Sequence, residues 1–169
     1  GERTNPWMQE SSNKVMQQGE VVAFDTDMVG PYGYCADISR AFVVGNKFND
    51  EQKKLYSMAR EQIEHNYRLI KDGVDFKEFT EKSWVLPDEY YPNRYSVMVH
   101  GIGLCDEWPA IRYPSDGGDR SGTFQKNMTI TLESYIGKVG GKEGIKLEQQ
   151  YLIGENGLEL MSHHPLEDI

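Results

Sequence analysis

Five carboxylates and one imidazole stand where strand-forming stretches would place apolar side chains. Asp25 and Asp27 lie two apart in FDTDMVG and Asp37 lies in YCADISR. His100 ends SVMVH, Glu133 sits in TITLES and Glu148 in IKLEQQYLI. Asp is a poor strand residue and a buried carboxylate is costly, so something cationic must face such a set. Oxygen donors with a single nitrogen suit divalent or trivalent ions of the manganese, iron, cobalt, nickel or zinc kind. One ion cannot neutralise five buried carboxylates; two can. Taken singly, each residue has an ordinary explanation, an Asp at an edge or bulge or a hydrogen-bonded His at a strand end. All six together favour a site, but the spacings are loose and leave both readings open.

The elements that position these residues follow from periodicity. GERTNPW reads as a loop with its turn at Asn5-Pro6. Residues 20–28 and 33–44 alternate or run apolar around Gly30-Pro31, which predicts a hairpin with Asp25 and Asp27 on one face. Val21, Val22, Phe24, Tyr34 and Ile38 are its expected buried members. Asn49 precedes a helix over 50–72 with Leu55, Tyr56, Ala59, Ile63, Tyr67 and Ile70 as its apolar stripe and Gly73 as its stop. A shorter helix covers 75–84, ahead of Pro87. A strand into VMVHGIGL, a polar loop over 114–122, a strand NMTITLES, a turn IGKVGGKEG, a strand IKLEQQYLI and a tail complete the chain. This uneven alternation predicts an α/β (α+β) class with a mainly antiparallel sheet, as one domain over 1–169.

At 169 residues, 38% hydrophobic and 11% aromatic, the chain can bury a core of its own. A formal charge of −9 speaks against nucleic acid as a partner. No stretch has the length of a transmembrane helix and no signal peptide is visible, so no membrane partner is expected. Cys35 and Cys105 are too few for a disulfide framework, which points to the cytoplasm. Both read as small buried residues, since thiolates are uncommon among hard carboxylates. The start at Gly1 without Met suggests the back part of a longer protein. GGKEG lacks the spacing of a phosphate-binding loop, Asn127-Met128-Thr129 falls at a strand start, and SHHP is a surface feature of the tail.

The order Asp, Asp, HGIG, Glu, Glu, with YCADISR around Asp37 and LEQQ around Glu148, resembles the pita-bread superfamily of methionine aminopeptidase, prolidase, aminopeptidase P and creatinase. The resemblance runs from about residue 20 to 155, the second half of the usual catalytic domain. It implies a dinuclear metal centre held by Asp25, Asp27, Asp37, His100, Glu133 and Glu148, with Asp37 and Glu148 bridging.

Three departures from the peptidase pattern stand out. Peptidases of this fold carry a substrate-binding His some twenty residues before the first Asp, whereas residues 1–24 contain none. They also carry a second His in a His-Glu-x-Pro setting, where this chain reads DEWP and places Asp106. The hairpin is one residue longer as well, and holds the extra Asp27. The combination resembles the branch of bacterial dimethylsulfoniopropionate lyases, with Asp106 as catalytic base and Tyr95 beside the substrate. Trp108 would help to shield Asp106, and Tyr32, Tyr34, Tyr95 and Trp108 could offer aromatic faces to a sulfonium. The resemblance implies two metal ions, iron first with zinc, nickel or manganese open, a small zwitterionic substrate, and a homodimer when full length. An Xaa-Pro metallopeptidase, a lyase on another substrate and a non-catalytic binding protein of the same fold are the rival readings.

Overall fold

Residues 1–45, 47–117 and 121–166 are described by the structure, a computed structural model. The expected continuous hairpin is broken into two. Strand β1 (Val21–Asp25) stops early, β2 is only Met28–Val29, β3 only Cys35–Ala36, and β4 spans Ser39–Val43. β1 pairs with β4 and β2 with β3, both antiparallel. The break falls at Asp27, whose φ of 26° no regular strand accommodates. Thr26 pins the kink, its Oγ1 accepting from Ile38 N and donating to Ile38 O. Asp27 therefore sits on a turn, not beside Asp25 on a strand face.

The hairpin's burial also departs from expectation. Val21 is buried, Val22 and Ile38 are half-buried, and Phe24 and Tyr34 are exposed, while Asp37 is 3% exposed. Of the hairpin carboxylates Asp37 is buried, Asp25 half-buried and Asp27 exposed, and alternation sends Phe24 outward, opposite to Asp25.

Asn49 and Gln52 close a capping box that starts helix α1 (Asp50–Tyr67). The helix ends before 72, since Arg68, Leu69 and Ile70 bond back only three residues. Gly73 (φ 85°) does not cap it but donates to Phe124 O. Leu55, Tyr56, Ala59, Ile63 and Ile70 are buried as expected, and Tyr67 is 39% exposed, its ring against Tyr151. Helix α2 (Phe76–Lys82) is shorter than 75–84 and is capped by Asp75, which accepts from the N–H groups of Lys77 and Glu78. Removing the α1 cap with Asn49→Ala is expected to cost about 1 kcal/mol, read as a lower midpoint of urea unfolding at unchanged slope.

The main sheet holds β5 (Val97–Gly101), β6 (Ala110–Arg112), β7 (Thr129–Gly137), β8 (Gly144–Gly154) and β9 (Gly157–Leu160), in the order β6-β5-β7-β8-β9. Every pairing is antiparallel, as the sequence predicted. Asn127 (φ 72°) lies in the turn before β7. GGKEG closes the β7–β8 connection, its last residue, Gly144, opening β8. Part of the polar loop over 114–122, residues 118–120, lies outside the described residues.

Alternation explains how acids came to lie in apolar strands. Ile130, Leu132 and Ile136 of β7, with Ile145, Leu147 and Ile153 of β8, share the face that α1 covers. Ser134 of that face donates to Gln62 of the helix. The opposite face carries Thr131, Glu133, Lys146 and Glu148, and His100 pairs with Thr131 in register. β1 and β4 pack over β8 on this polar side. Both faces are buried, one by a helix and one by the acidic hairpin.

Candidate metal centre

Glu133 and Glu148 are direct cross-strand partners, so their carboxylates leave the sheet side by side. His100 Nε2 lies 3.2 Å from Glu148 Oε1, 3.8 Å from Glu133 Oε1 and 3.7 Å from Asp37 Oδ2. All four side chains are at most 4% exposed. His100 Nδ1 lies 3.0 Å from Gly101 O, a contact that fixes the ring plane. A second convergence brings together one oxygen each of Asp25, Asp27 and Asp37, all within 4.8 Å of one another. Asp37 belongs to both groups, which is the placement a bridging carboxylate needs. The turn at Asp27 thus delivers its carboxylate by a route that strand alternation did not foresee.

The charges are unbalanced among the protein groups alone. Burial, then Glu148 and Asp25, push Asp37 up to about 8. Burial raises Glu133 to about 7, with Lys146 pulling down and Glu148 adding to the rise. Burial also raises Asp25. For His100 burial works against the charge, yet Glu148 and Glu133 outweigh it and raise the ring to about 10. Burial would likewise raise Glu148, but Lys146 and His100 hold it well below the usual carboxylate range. Glu133 Oε1, in a side chain only 2% exposed, has no hydrogen-bond partner and points to the space beside His100. An orphaned buried carboxylate oxygen beside a nitrogen and two further oxygens fits a cation of the kind the sequence called for.

The loop after β5 carries the other expected residues. Gly101 has to be glycine, because a Cβ there would lie 2.1 Å from Trp108 O as the loop folds back on β5. Cys35 N donates to Gly103 O, which ties the loop to β3. The Cys35 thiol, raised first by burial, also feels the charges of Asp106, Cys105 and Asp37, so base candidate and acidic hairpin are neighbours. Asp106 is half-buried and accepts from Glu107 N; among the described residues it makes no hydrogen bond to any of the six. Tyr95 is half-buried, its hydroxyl 3.4 Å from Glu107 Oε1. Trp108 is 61% exposed and too open to be the expected cover for Asp106. Tyr32 and Tyr34 also face solvent. Cys105 is exposed and Cys35 half-buried, not buried as expected, because both lie where hairpin and loop meet at the open edge.

The family comparison draws on the whole of this arrangement. The sequence model of metallopeptidase family M24 matches residues 1–155, which include the hairpin, β5, β7 and β8. The chain belongs to family M24. Its fold is the pita-bread fold that the motifs implied. The chain is 39% identical over 171 residues to a dimethylsulfoniopropionate lyase, DddP, of Roseovarius nubinhibens, covering 99% of this chain and 38% of that protein. It is thus little more than a third as long as this curated relative. Among solved structures, an X-Pro aminopeptidase of Thermotoga maritima superposes with a TM-score of 0.77 at 29% identity, covering 98% of this chain and 46% of that one. A prolidase of Pyrococcus furiosus gives 0.80 at 25% identity, covering 98% and 48%. No helix among the described residues is long and apolar enough to cross a membrane.

Three residues of this M24 chain escaped the sequence reading. Lys146 is 2% exposed and its Nζ lies 2.8 Å from Glu133 Oε2 and 3.0 Å from Glu148 Oε2. Ser39 Oγ accepts from Lys146 Nζ and lies 2.5 Å from Asp25 Oδ1. Arg40, buried, donates from Nη1 to Glu148 O and from Nη2 to Gln149 Oε1, fixing β4 against β8. The signal for Lys146 was available: it stands two before Glu148 in a strand, hence on the same face.

Proposed function

We propose that the chain is the metal-holding part of a lyase that cleaves dimethylsulfoniopropionate to acrylate and dimethyl sulfide by β-elimination. The observation that carries this reading is the 39% identity to such a lyase along 99% of the chain. Asp106 in place of the peptidase imidazole, and the lack of His in residues 1–24, point the same way. Asp25, Asp27, Asp37, His100, Glu133 and Glu148 would hold two cations, iron first among the candidates. The bound ions would supply electrophilic stabilisation to the substrate carboxylate as negative charge builds next to it.

The chain's own residues then have defined work. The Asp106 carboxylate takes the proton from the carbon next to the substrate carboxylate. The electron pair of that C–H bond becomes the new C=C bond, and the C–S pair leaves with sulfur as neutral dimethyl sulfide. Asp106, now protonated, returns its proton to solvent. Tyr95, whose hydroxyl reaches Glu107, and Trp108, the next residue in the chain after Glu107, would offer ring faces to the sulfonium. Nothing in the step calls for a nucleophilic water, so the missing peptidase imidazoles are no obstacle.

A second reading, an Xaa-Pro metallopeptidase, is favoured by the superposition on the Thermotoga aminopeptidase and the Pyrococcus prolidase. The deciding experiment measures headspace dimethyl sulfide and hydrolysis of an Xaa-Pro dipeptide on the same metal-loaded full-length protein. Sulfide without hydrolysis is expected. Hydrolysis without sulfide would transfer the site to peptide chemistry, and neither product would favour a binding protein.

A further inference from the structure

Lys146 is a fixed cation built into a cluster of acids, and nothing in the proposed elimination uses it. Its ammonium touches Glu133 Oε2 and Glu148 Oε2, accompanies Asp25 Oδ2 at 3.6 Å, and donates to Ser39 Oγ. The Tyr95 ring lies over it, with the centroid 5.1 Å from Nζ. The division of oxygens is systematic. Both glutamates give Oε2 to Lys146, and their Oε1 atoms are the ones closest to His100. Strand β8 carries Lys146 and Glu148 on one face, and β7 presents Glu133 opposite Glu148, so neither glutamate can turn without breaking a contact to the ammonium.

We infer that Lys146 is a positioning residue that selects the charge of the ions: it orients the Oε1 atoms of Glu133 and Glu148 and restricts the centre to two dications. The inference rests on the metal centre proposed above. Five carboxylates against one ammonium leave four negative charges, which two dications match and two trications exceed. The ammonium is held across shared carboxylates, so its repulsion of a bound ion grows with that ion's charge. At roughly 5 Å and an effective dielectric of about 20, one added metal charge facing Lys146 weakens binding on the order of 100-fold. A ligand-orienting contact alone would affect dications and trications alike. The ratio of the two affinities therefore isolates the charge.

The test titrates the chelator-stripped protein with Mn²⁺ alone and with Tb³⁺ alone, by calorimetry. Two Mn²⁺ but one Tb³⁺ per wild-type chain are expected. In Lys146→Gln the Tb³⁺-to-Mn²⁺ affinity ratio should rise about 100-fold, and in Lys146→Arg, which keeps the charge, it should stay within tenfold of wild type. An unmoved ratio in Lys146→Gln, with wild type binding metal normally, overturns the role of Lys146 and leaves the metal centre standing. If Lys146→Gln fails to fold, the wild-type titration still decides: two Tb³⁺ bound as tightly as two Mn²⁺ overturn the inference. Wild-type protein that binds neither ion removes the metal centre and the role of Lys146 together.

Discussion

Asp106→Asn is expected to lower dimethyl sulfide release by roughly 10² to 10⁴-fold, the usual loss for a general base, with metal content unchanged. The amide keeps the shape and polarity of the carboxylate but cannot accept a proton from carbon. Metal content should hold because Asp106 makes no hydrogen bond to the six proposed ligands and sits on the loop after β5, outside the paired strands. The loop itself should survive, since Gly101 N bonds Pro109 O and Cys35 N bonds Gly103 O irrespective of residue 106. Asp106→His provides the contrast: it restores the residue type of the peptidase pattern and should still fail to hydrolyse an Xaa-Pro dipeptide, because residues 1–24 supply no partner imidazole. Full lyase activity in Asp106→Asn would move the proton abstraction elsewhere, with Tyr95 the first residue to test. A lost metal complement in the same variant would instead make Asp106 part of the metal-binding structure.

What the sequence made legible was whatever obeyed a simple period. The apolar faces of β7 and β8, the stripe and cap of α1, and the convergence of Glu133 with Glu148 all follow from alternation or helical spacing. His100 joined them because β5 pairs with β7 in a register that puts it opposite Thr131. Asp27 was placed on a strand because alternation has no means of foreseeing a left-handed residue; its delivery to Asp25 and Asp37 depends on Thr26 locking the kink. Phe24 was expected inside for the same reason that Asp25 was thought anomalous. Once Asp25 turns toward the Lys146 ammonium, its apolar neighbour has to face out. Lys146 was missed because lysine in a strand usually reads as a solvated edge, and only the cluster opposite it makes burial tolerable. The open setting of Cys105 and Trp108 was hidden too, since it depends on how the loop after β5 folds back, which local composition does not encode.

Removing the metals is expected to lower the melting temperature and to reverse its dependence on pH. Each ion at a hundredfold excess over its Kd contributes about 3 kcal/mol, or on the order of 5–10 °C for a chain of this size. Chelation should cost at least that much, because the carboxylates are then left facing one another. The pH effect follows from four groups of one sign. Asp37 rises from 3.8 to about 8, Glu133 from 4.5 to about 7, His100 from 6.5 to about 10, and Asp25 is raised as well. Each binds its proton more tightly folded than unfolded, so the stability it lends is present below the unfolded pKa and lost as pH rises through the folded one. Glu148 has the opposite sign, but its contribution changes only below 4.5. The stripped protein should therefore melt lower at pH 8.5 than at pH 5.5. Metal-loaded protein should do the reverse over that range, because cations compete with protons for the same oxygens and bind better as these are released. Calorimetric scans at the two pH values, on stripped and Mn²⁺-refilled protein with metal content verified by elemental analysis, check both signs. A stripped protein that melts where the loaded one does would rule out a buried dinuclear centre. One that gains stability toward pH 8.5 would mean that these carboxylates are already ionised and paired within the fold, leaving no unbalanced charge for metal ions to meet.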